Sequence, residues 1–166
     1  KIVLLSEVLE NFGNDILFNI EIKNNGNIKK TAEKTVEVIE EYGIERSCYI
    51  TSFSYDALKT VKKINPKIKT GLIANVASST SFSQLKYIDA VSLNYIFINQ
   101  SIVNMAHQNG RRVFVWTVDN RSDIQHMIAM GVDNIITNRP DRVSEIVTSK
   151  SIGDTFLTIL EKIFGS

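Results

Sequence analysis

The residues best suited to chemistry lie on one short alternating segment, Phe18-Asn19-Ile20-Glu21-Ile22-Lys23. In a β-strand the polar side chains of Asn19, Glu21 and Lys23 share one face. A carboxylate on that face can bind a hard divalent cation through oxygen. A lysine about 7 Å further along the strand can neutralise phosphate charge that develops in a transition state. From the pattern alone two interpretations stay open: an active-site face, or the solvated face of an edge strand.

Other candidate residues stand at the ends of other predicted strands. Thr51-Ser52-Phe53 places hydroxyl groups at a strand end, although such residues also commonly cap a following helix. Trp116 is the sole tryptophan and shares a strand face with Phe114, which favours core packing. In a site it could instead form an apolar wall for a small ligand. Arg139 stands in a predicted turn, where it is either exposed or able to contact phosphate.

The two histidines and the single cysteine carry no comparable signal. His107 and His126 each lie in a predicted helix with no partner at metal-ligand spacing, and Cys48 lies in an apolar run that indicates a buried thiol. The sequence contains no P-loop, G-x-G-x-x-G, H-E-x-x-H or G-x-S-x-G motif. Its net charge of +1 argues against the concentrated basic surface that nucleic-acid-binding domains carry.

Strand patterns alternate with helix patterns along the chain. The predicted strands are short, apolar and bounded by polar or turn residues: Ile16–Ile22, Ser47–Phe53, Lys69–Ala74, Ile88–Leu93, Arg112–Val118 and Asp133–Thr137. Ser54 and Asn120 are predicted to cap helices, another helix is predicted from about Asn99 to Asn109, and Pro140 suits the first turn of a further one. Gly43, Gly110 and Gly131 each follow a helical pattern as a stop signal. Repeated strand–helix units imply a parallel sheet with helical crossovers.

These elements predict an α/β fold of a particular kind, a partial TIM (β/α) barrel. A complete barrel needs eight units and roughly 250 residues, whereas residues 1–149 of this 166-residue chain offer about six. An open sheet of this kind would expose parallel-strand edges, so we expect the chain to be part of a larger domain that lacks its N-terminal units here. Residues 150–166 form a separate amphipathic pattern, Asp154–Phe164, which predicts a helix that packs on the barrel or on a partner. A helix on a membrane surface is disfavoured by its single lysine.

The ordered set of strand-end motifs resembles the glycerophosphodiester phosphodiesterase family. The segment Phe18–Lys23 matches the E-I-K strand of that family. The motifs that follow in matching order are Thr51-Ser52-Phe53, Lys69-Thr70-Gly71-Leu72, Val113–Val118 and Gly131–Asp141. The resemblance runs from about Lys1 to Val147 and identifies the chain with roughly the C-terminal two-thirds of the catalytic barrel of the family.

What the resemblance implies is metal-dependent hydrolysis of glycerophosphodiesters to an alcohol and glycerol 3-phosphate, with Ca²⁺ or Mg²⁺ as the cofactor. It implies that Glu21 binds the metal, that Lys23 contacts the phosphate and acts in catalysis, and that Trp116 lines the glycerol pocket. The expected partner is therefore a small-molecule glycerophosphodiester, and not nucleic acid. The head group of the substrate and the identity of the metal stay open.

The sequence departs from the family at its beginning. The family has an H-R-G segment, an E-x-D pair and an H-D segment early in the chain, and the two histidines of these segments act as general acid and base. This sequence contains none of the three motifs. Neither His107 nor His126 matches those positions. General acid–base groups each contribute about 10²–10⁴-fold, so we expect negligible activity from the isolated chain. The alternative is a non-catalytic truncated barrel that serves as a binding or assembly module and self-associates through its incomplete barrel.

The cellular location also stays open at this point. The chain begins at Lys1 and not at methionine, which leaves room for a preceding signal or membrane anchor. An extracellular or membrane-tethered protein is therefore as compatible with the sequence as a free soluble domain.

Overall fold

A computed structural model of the chain describes residues 2–13, 15–75 and 85–149. The helices and strands in chain order are α1 (Leu5–Phe12), β1 (Phe18–Ile22), α2 (Ile28–Glu41), β2 (Cys48–Ser52), α3 (Tyr55–Ile64), β3 (Lys69–Ala74), β4 (Ala90–Asn94), a 3-10 turn (Tyr95–Phe97), α4 (Gln100–Gln108), β5 (Arg112–Trp116), α5 (Arg121–Ala129) and β6 (Asn134–Ile135). A last helix, α6, runs through residues 140–149. The helix predicted within residues 150–166 lies outside the described residues.

The six strands form one parallel sheet whose order is the order of the chain. Tyr49 of β2 and Phe114 of β5 show that this sheet is curled, because their ring centroids lie only 5.0 Å apart. Two strands separate them, and across a flat sheet that separation would be about 14 Å. Gly71 of β3 and Ala90 of β4 lie between the two rings in strand order and leave room for them, since both have small side chains. The predicted partial TIM barrel is therefore confirmed.

Local capping explains where most of the helices begin and end. The side chains of Asn27, Ser54 and Asn99 each accept a hydrogen bond from a backbone N–H in the first turn of α2, α3 and α4. Three glycines that follow helices have a positive φ, as predicted: Gly43, Gly110 and Gly131. The predicted Asn120 cap is only half right. The helix α5 does begin after Asn120. The side-chain amide of Asn120, however, donates a hydrogen bond to the Asp123 carboxylate and makes no hydrogen bond to the backbone of the helix.

The main core lies between the outer face of the sheet and the helices. Outward-facing residues such as Ile50, Val91 and Val113 are buried against helix residues such as Val36 and Leu58. Burying a side chain of this size contributes about 1.5–3 kcal/mol. Cys48 belongs to the same layer, as predicted. Burial, with the nearby charge of Glu45, raises the pKa of this thiol to about 11, so it stays protonated at neutral pH.

Asp89 fastens the amino ends of β3 and β4 together. Its carboxylate accepts hydrogen bonds from the backbone N–H of Thr70, at 2.9 Å, and from Lys69 at 3.2 Å. Lys62 of α3 lies 2.7 Å from the same carboxylate. Burial alone would raise the pKa of Asp89, but hydrogen bonds from Lys62, Thr70 and Lys69 outweigh it and hold the pKa below its ordinary value.

Asp133 repeats this arrangement one strand pair further on. It precedes β6 and accepts a hydrogen bond from the backbone N–H of Val113, in β5, at 2.8 Å. The Nε2 atom of His107 lies 2.8 Å from the same oxygen. The sequence did not indicate this pairing. Its role is structural, because this pair lies at the amino ends of the strands.

Candidate active site

A cavity of about 360 Å³ opens at the carboxyl ends of the strands. Every second residue of a strand faces the interior of a barrel, so the side chains that line the cavity come from the first five strands and from residues directly after a strand, β6 included. They are Asn19, Glu21, Lys23, Thr51, Phe53, Ile73, Ser92, Trp116, Thr117 and Ile136. The carboxyl ends are also where (β/α) barrels carry their sites. The cavity is therefore the candidate functional site.

The side of the cavity formed by β1 and β2 is polar. Lys23 Nζ donates to Glu21 Oε1 at 2.8 Å, with the lysine exposed and the glutamate partly shielded. Thr51 donates to the side-chain oxygen of Asn19 at 2.9 Å, which joins the two strands at this level. In the described sheet β1 is an edge strand, yet its polar face looks into the cavity. The interpretation as an active-site face therefore agrees with the position of these side chains.

The oxygen atoms of this polar side suit a hard cation but supply only part of its coordination shell. Ca²⁺ takes six to eight oxygen ligands, and Mg²⁺ prefers six in an octahedron. The cavity offers one carboxylate, that of Glu21, with the amide oxygen of Asn19 and the hydroxyl groups of Thr51 and Ser92. Within residues 2–13, 15–75 and 85–149, no three histidine, cysteine, aspartate or glutamate side chains group closely enough to hold a metal ion. Glu21 thus fits a metal site as one ligand among several.

The opposite side of the cavity is apolar and aromatic. The rings of Phe53 and Trp116 meet edge to face, with centroids 6.3 Å apart and planes at 74°. Ile73 and Ile136 continue this surface. The indole Nε1 of Trp116 is buried and has no hydrogen-bond partner among the described residues. Of the two interpretations of Trp116, the apolar wall describes its position better than the closed core.

Asp119 joins the loop after β5 to the loop after β6, which carry the lining residues Thr117 and Ile136. It follows β5 and accepts hydrogen bonds from Thr137 Oγ1 at 2.9 Å and from the backbone N–H of Asn138 at 2.8 Å. Hydrogen bonds from Asn138 and Thr137 hold the pKa of Asp119 below its ordinary value. Asp119 therefore holds the loop after β6 against the loop after β5, at the edge of the cavity.

Arg139 does not line the cavity. Its guanidinium donates to both carboxylate oxygens of Asp141, at 3.0 and 2.7 Å, in an exposed turn. The interpretation as a turn arginine is therefore the better of the two.

The structure brings Trp116 to the same cavity as Glu21 and Lys23, although Trp116 is far from both in the sequence. His107 and His126 are not among the lining residues. Sequence reasoning did not single out Ile73, Ser92, Thr117 and Ile136. The alternation of inward and outward residues along each strand is the signal that could have found them, since Ser92 is a polar residue in the apolar strand β4.

None of the helices in the described ranges has the length and apolar character that crossing a membrane requires.

A curled parallel sheet with connecting helices and a cavity at the carboxyl ends of its strands defines a protein of the TIM-barrel class. A sequence model of the glycerophosphoryl diester phosphodiesterase family matches residues 1–142. The chain belongs to that family.

Curated relatives agree with this assignment. The chain is 35% identical over 151 residues to a glycerophosphodiester phosphodiesterase from Caldanaerobacter subterraneus, a match that covers 89% of the chain and 62% of that protein. A glycerophosphodiester phosphodiesterase from Bacillus altitudinis is 29% identical, with 87% and 62% covered. The chain thus spans about three-fifths of the length of these curated relatives.

The same fold occurs in solved structures that are more distant in sequence. A phosphodiesterase from Oleispira antarctica, in complex with the product sn-glycerol-3-phosphate, has a TM-score of 0.80 at 21% identity, with 87% of this chain and 60% of that chain covered. A glycerophosphodiester phosphodiesterase from Parabacteroides distasonis has a TM-score of 0.78 at 23% identity, with 89% and 64% covered. At these identities the likeness shows the fold.

Proposed function

We propose that the protein carrying this chain hydrolyses glycerophosphodiesters to an alcohol and glycerol 3-phosphate. The observation that carries the proposal is the Glu21–Lys23 pair, 2.8 Å apart, which faces the aromatic wall of the same cavity. Membership of the family supports it, as does the printed name of the Caldanaerobacter relative. The product bound in the Oleispira phosphodiesterase supports a small glycerophosphate ligand.

The two sides of the cavity suit the two parts of such a substrate. Lys23 has an exposed, flexible side chain that can turn from Glu21 toward a non-bridging phosphate oxygen and balance its charge. Trp116 and Ile73 offer an apolar surface to the carbon chain of glycerol. Binding between these two sides orients the phosphorus atom relative to the polar groups of β1.

A divalent cation, Ca²⁺ or Mg²⁺, is part of the proposal. Glu21 is the ligand that this chain contributes, and Asn19 and Thr51 lie beside it with neutral oxygen atoms. A cation held there would polarise the phosphoryl oxygen and stabilise the charge that develops on it. The Lys23 ammonium lies 2.8 Å from the same carboxylate, so both positive groups of the proposal are on this side of the cavity.

The 166-residue chain by itself is proposed to have negligible activity. The two histidines of the sequence, His107 and His126, do not line the cavity, so neither is placed to exchange a proton with a substrate there. The same observation favours a second candidate function, a non-catalytic binding module. Such a module would bind glycerol 3-phosphate but hydrolyse no diester. If it self-associates through its incomplete barrel, light scattering would show the mass of a dimer or a larger assembly.

The direct test is an assay of the full-length protein with glycerophosphocholine, with and without EDTA. We expect glycerol 3-phosphate to form with added Ca²⁺ or Mg²⁺ and its formation to stop when the metal is chelated. Turnover that continues in EDTA contradicts the metal dependence. Binding of glycerol 3-phosphate without any turnover favours the binding module.

Replacement of Lys23 by methionine is expected to lower kcat/KM for glycerophosphocholine by about a hundredfold, because a charge that balances the phosphate in the transition state is lost. Lys34→Met is the matched control, since Lys34 also pairs with a glutamate but lies on the exposed surface of α2. The two variants are compared in steady-state assays and by thermal unfolding. Equal activity in the two variants would show that the Lys23 side chain does not take part in the reaction.

A further inference from the structure

The hydroxyl group of Ser52 is buried at the carboxyl end of β2. Ser52 is 0% exposed and does not line the cavity. Thr51 and Phe53, the residues on either side of it in the sequence, do line the cavity, because alternate residues of a strand share a face. The Ser52 hydroxyl therefore lies on the other face of the strand, out of reach of a ligand in the cavity.

Two hydrogen bonds of this hydroxyl join β1 to the segment that leads into α3. Ser52 Oγ donates to the backbone carbonyl of Ile22 at 2.8 Å and accepts from the backbone N–H of Ser54 at 3.0 Å. Ile22 is the last residue of β1 and the register partner of Ser52. The hydroxyl thus fastens the end of β1 to the chain just ahead of α3.

The Ile22 carbonyl is part of the peptide unit that connects Ile22 to Lys23. A peptide unit is planar, so a hydrogen bond that holds its carbonyl also sets the position of the Lys23 Cα atom. The Lys23 side chain itself is held only loosely, since it is 70% exposed and its pair with Glu21 is screened by solvent. The backbone at the end of β1 therefore determines where the Lys23 ammonium can reach.

We propose that Ser52 is a positioning residue for Lys23. The inference rests on the proposed function, in which the Lys23 ammonium balances the charge of the phosphate. Ser52 holds the peptide unit between Ile22 and Lys23 in the orientation that keeps the ammonium at the cavity, and it touches no ligand itself. A hydroxyl suits this role, because it can donate to one backbone group and accept from another at the same time.

A double-mutant cycle separates this role from a general contribution to the fold. The full-length wild type, Ser52→Ala, Lys23→Met and the double variant are titrated with sn-glycerol 3-phosphate in a calorimeter, with Ca²⁺ present. Ser52→Ala alone is expected to raise the Kd about tenfold, which is the range of a single hydrogen bond. In the Lys23→Met background the same substitution should leave the Kd unchanged, because the group that Ser52 positions is gone. The kcat/KM for glycerophosphocholine should follow the same pattern.

Ser54→Ala is the matched control. The Ser54 hydroxyl caps α3 by accepting from the Ala57 N–H at 3.3 Å, and among the described residues it makes no hydrogen bond to β1. Loss of the cap should lower the midpoint of thermal unfolding but leave the Kd at the wild-type value. The backbone N–H of Ser54, which donates to Ser52, is untouched by this substitution.

An unchanged Kd in Ser52→Ala overturns the inference, as do equal increases in the two backgrounds or an equal increase in Ser54→Ala. A wild-type protein that does not bind sn-glycerol 3-phosphate overturns it as well. If Ser52→Ala does not fold, Ser52→Cys takes its place in the cycle, because a thiol fills the space of the hydroxyl but is a weak donor.

The proposed function is judged separately, by turnover of glycerophosphocholine. The ligand sn-glycerol 3-phosphate is a monoester and lacks the diester bond that the proposed reaction cleaves. The binding cycle therefore decides the role of Ser52 even where turnover fails.

Discussion

Glu21→Gln is expected to lower kcat/KM for glycerophosphocholine by about a thousandfold in the full-length protein. Glutamine keeps the size and shape of the side chain but removes its charge. The proposed cation then loses its carboxylate ligand from this chain, and the Lys23 ammonium loses the negative charge that lies 2.8 Å away. Removal of a single electrostatic group aimed at developing charge costs about 10²–10³-fold, and weaker metal binding adds to that loss.

The matched control for this substitution is Glu37→Gln. Glu37 also pairs with a lysine, Lys34, but both side chains are exposed on α2 and neither lines the cavity. Its activity should equal that of the wild type. Calorimetric titration with Ca²⁺ should show weaker binding in Glu21→Gln alone. A Glu21→Gln protein with full activity would show that the carboxylate is not part of the reaction.

Asp89→Ala is expected to lower the free energy of unfolding by about 3 kcal/mol at pH 7. Asp89 is 22% exposed and accepts from Thr70, whose backbone N–H is buried, while Lys62 is largely buried beside it. Removing the carboxylate leaves a buried donor and a shielded ammonium without their partner, and changes of this kind cost about 3–5 kcal/mol when the charge is fully buried. Urea unfolding followed by circular dichroism measures the difference.

The pH dependence of this difference has a definite sign. The pKa of Asp89 in the folded protein lies below its ordinary value, and in the unfolded chain it should be about 3.9. The contribution of Asp89 is therefore fully present above about pH 4 and is lost as the pH falls through the lower, folded-state pKa. The difference in the free energy of unfolding between wild type and Asp89→Ala should stay constant, at about 3 kcal/mol, from pH 5 to pH 8. It should disappear in more acidic solution.

Asp141→Ala provides the comparison. Asp141 forms a two-bond pair with Arg139, but it is 52% exposed, and water and salt screen exposed pairs of this kind so that they contribute little to stability. An equally large decrease in the free energy of unfolding in both variants would indicate that burial does not set the strength of the Asp89 interactions.

Much of the fold could be predicted because its signals are local. The strand β3 has the predicted bounds, Lys69–Ala74, since it is a short apolar run between turn residues. The helix α1 was not predicted, although Leu5, Leu9 and Phe12 recur at helical spacing. The strand β6 is shorter than its pattern indicated, but Ile136 just beyond it still donates to the Val115 carbonyl of β5.

The site could be predicted in part for a related reason. Glu21 and Lys23 stand out because polar residues interrupt a strand type that is normally apolar. Ile73 and Ile136 do not stand out in the sequence, because an apolar residue that faces the cavity cannot be told from one that faces the core. The contact of Phe53 with Trp116 depends on how far the sheet curls, and no local pattern conveys that. The His107–Asp133 pair joins residues 26 positions apart and is invisible for the same reason.

The carboxylates of Asp89 and Asp133 secure the sheet at its amino ends, while the cavity lies at the opposite ends of the same strands. Substitutions at sites that are far apart and share no partners usually have additive effects. Evolution can therefore alter the rim of the cavity without weakening the fastenings on which the fold depends. For an engineer, the same separation makes the Phe53 side of the rim the natural place to diversify in a library, with Asp89 and Asp133 held constant.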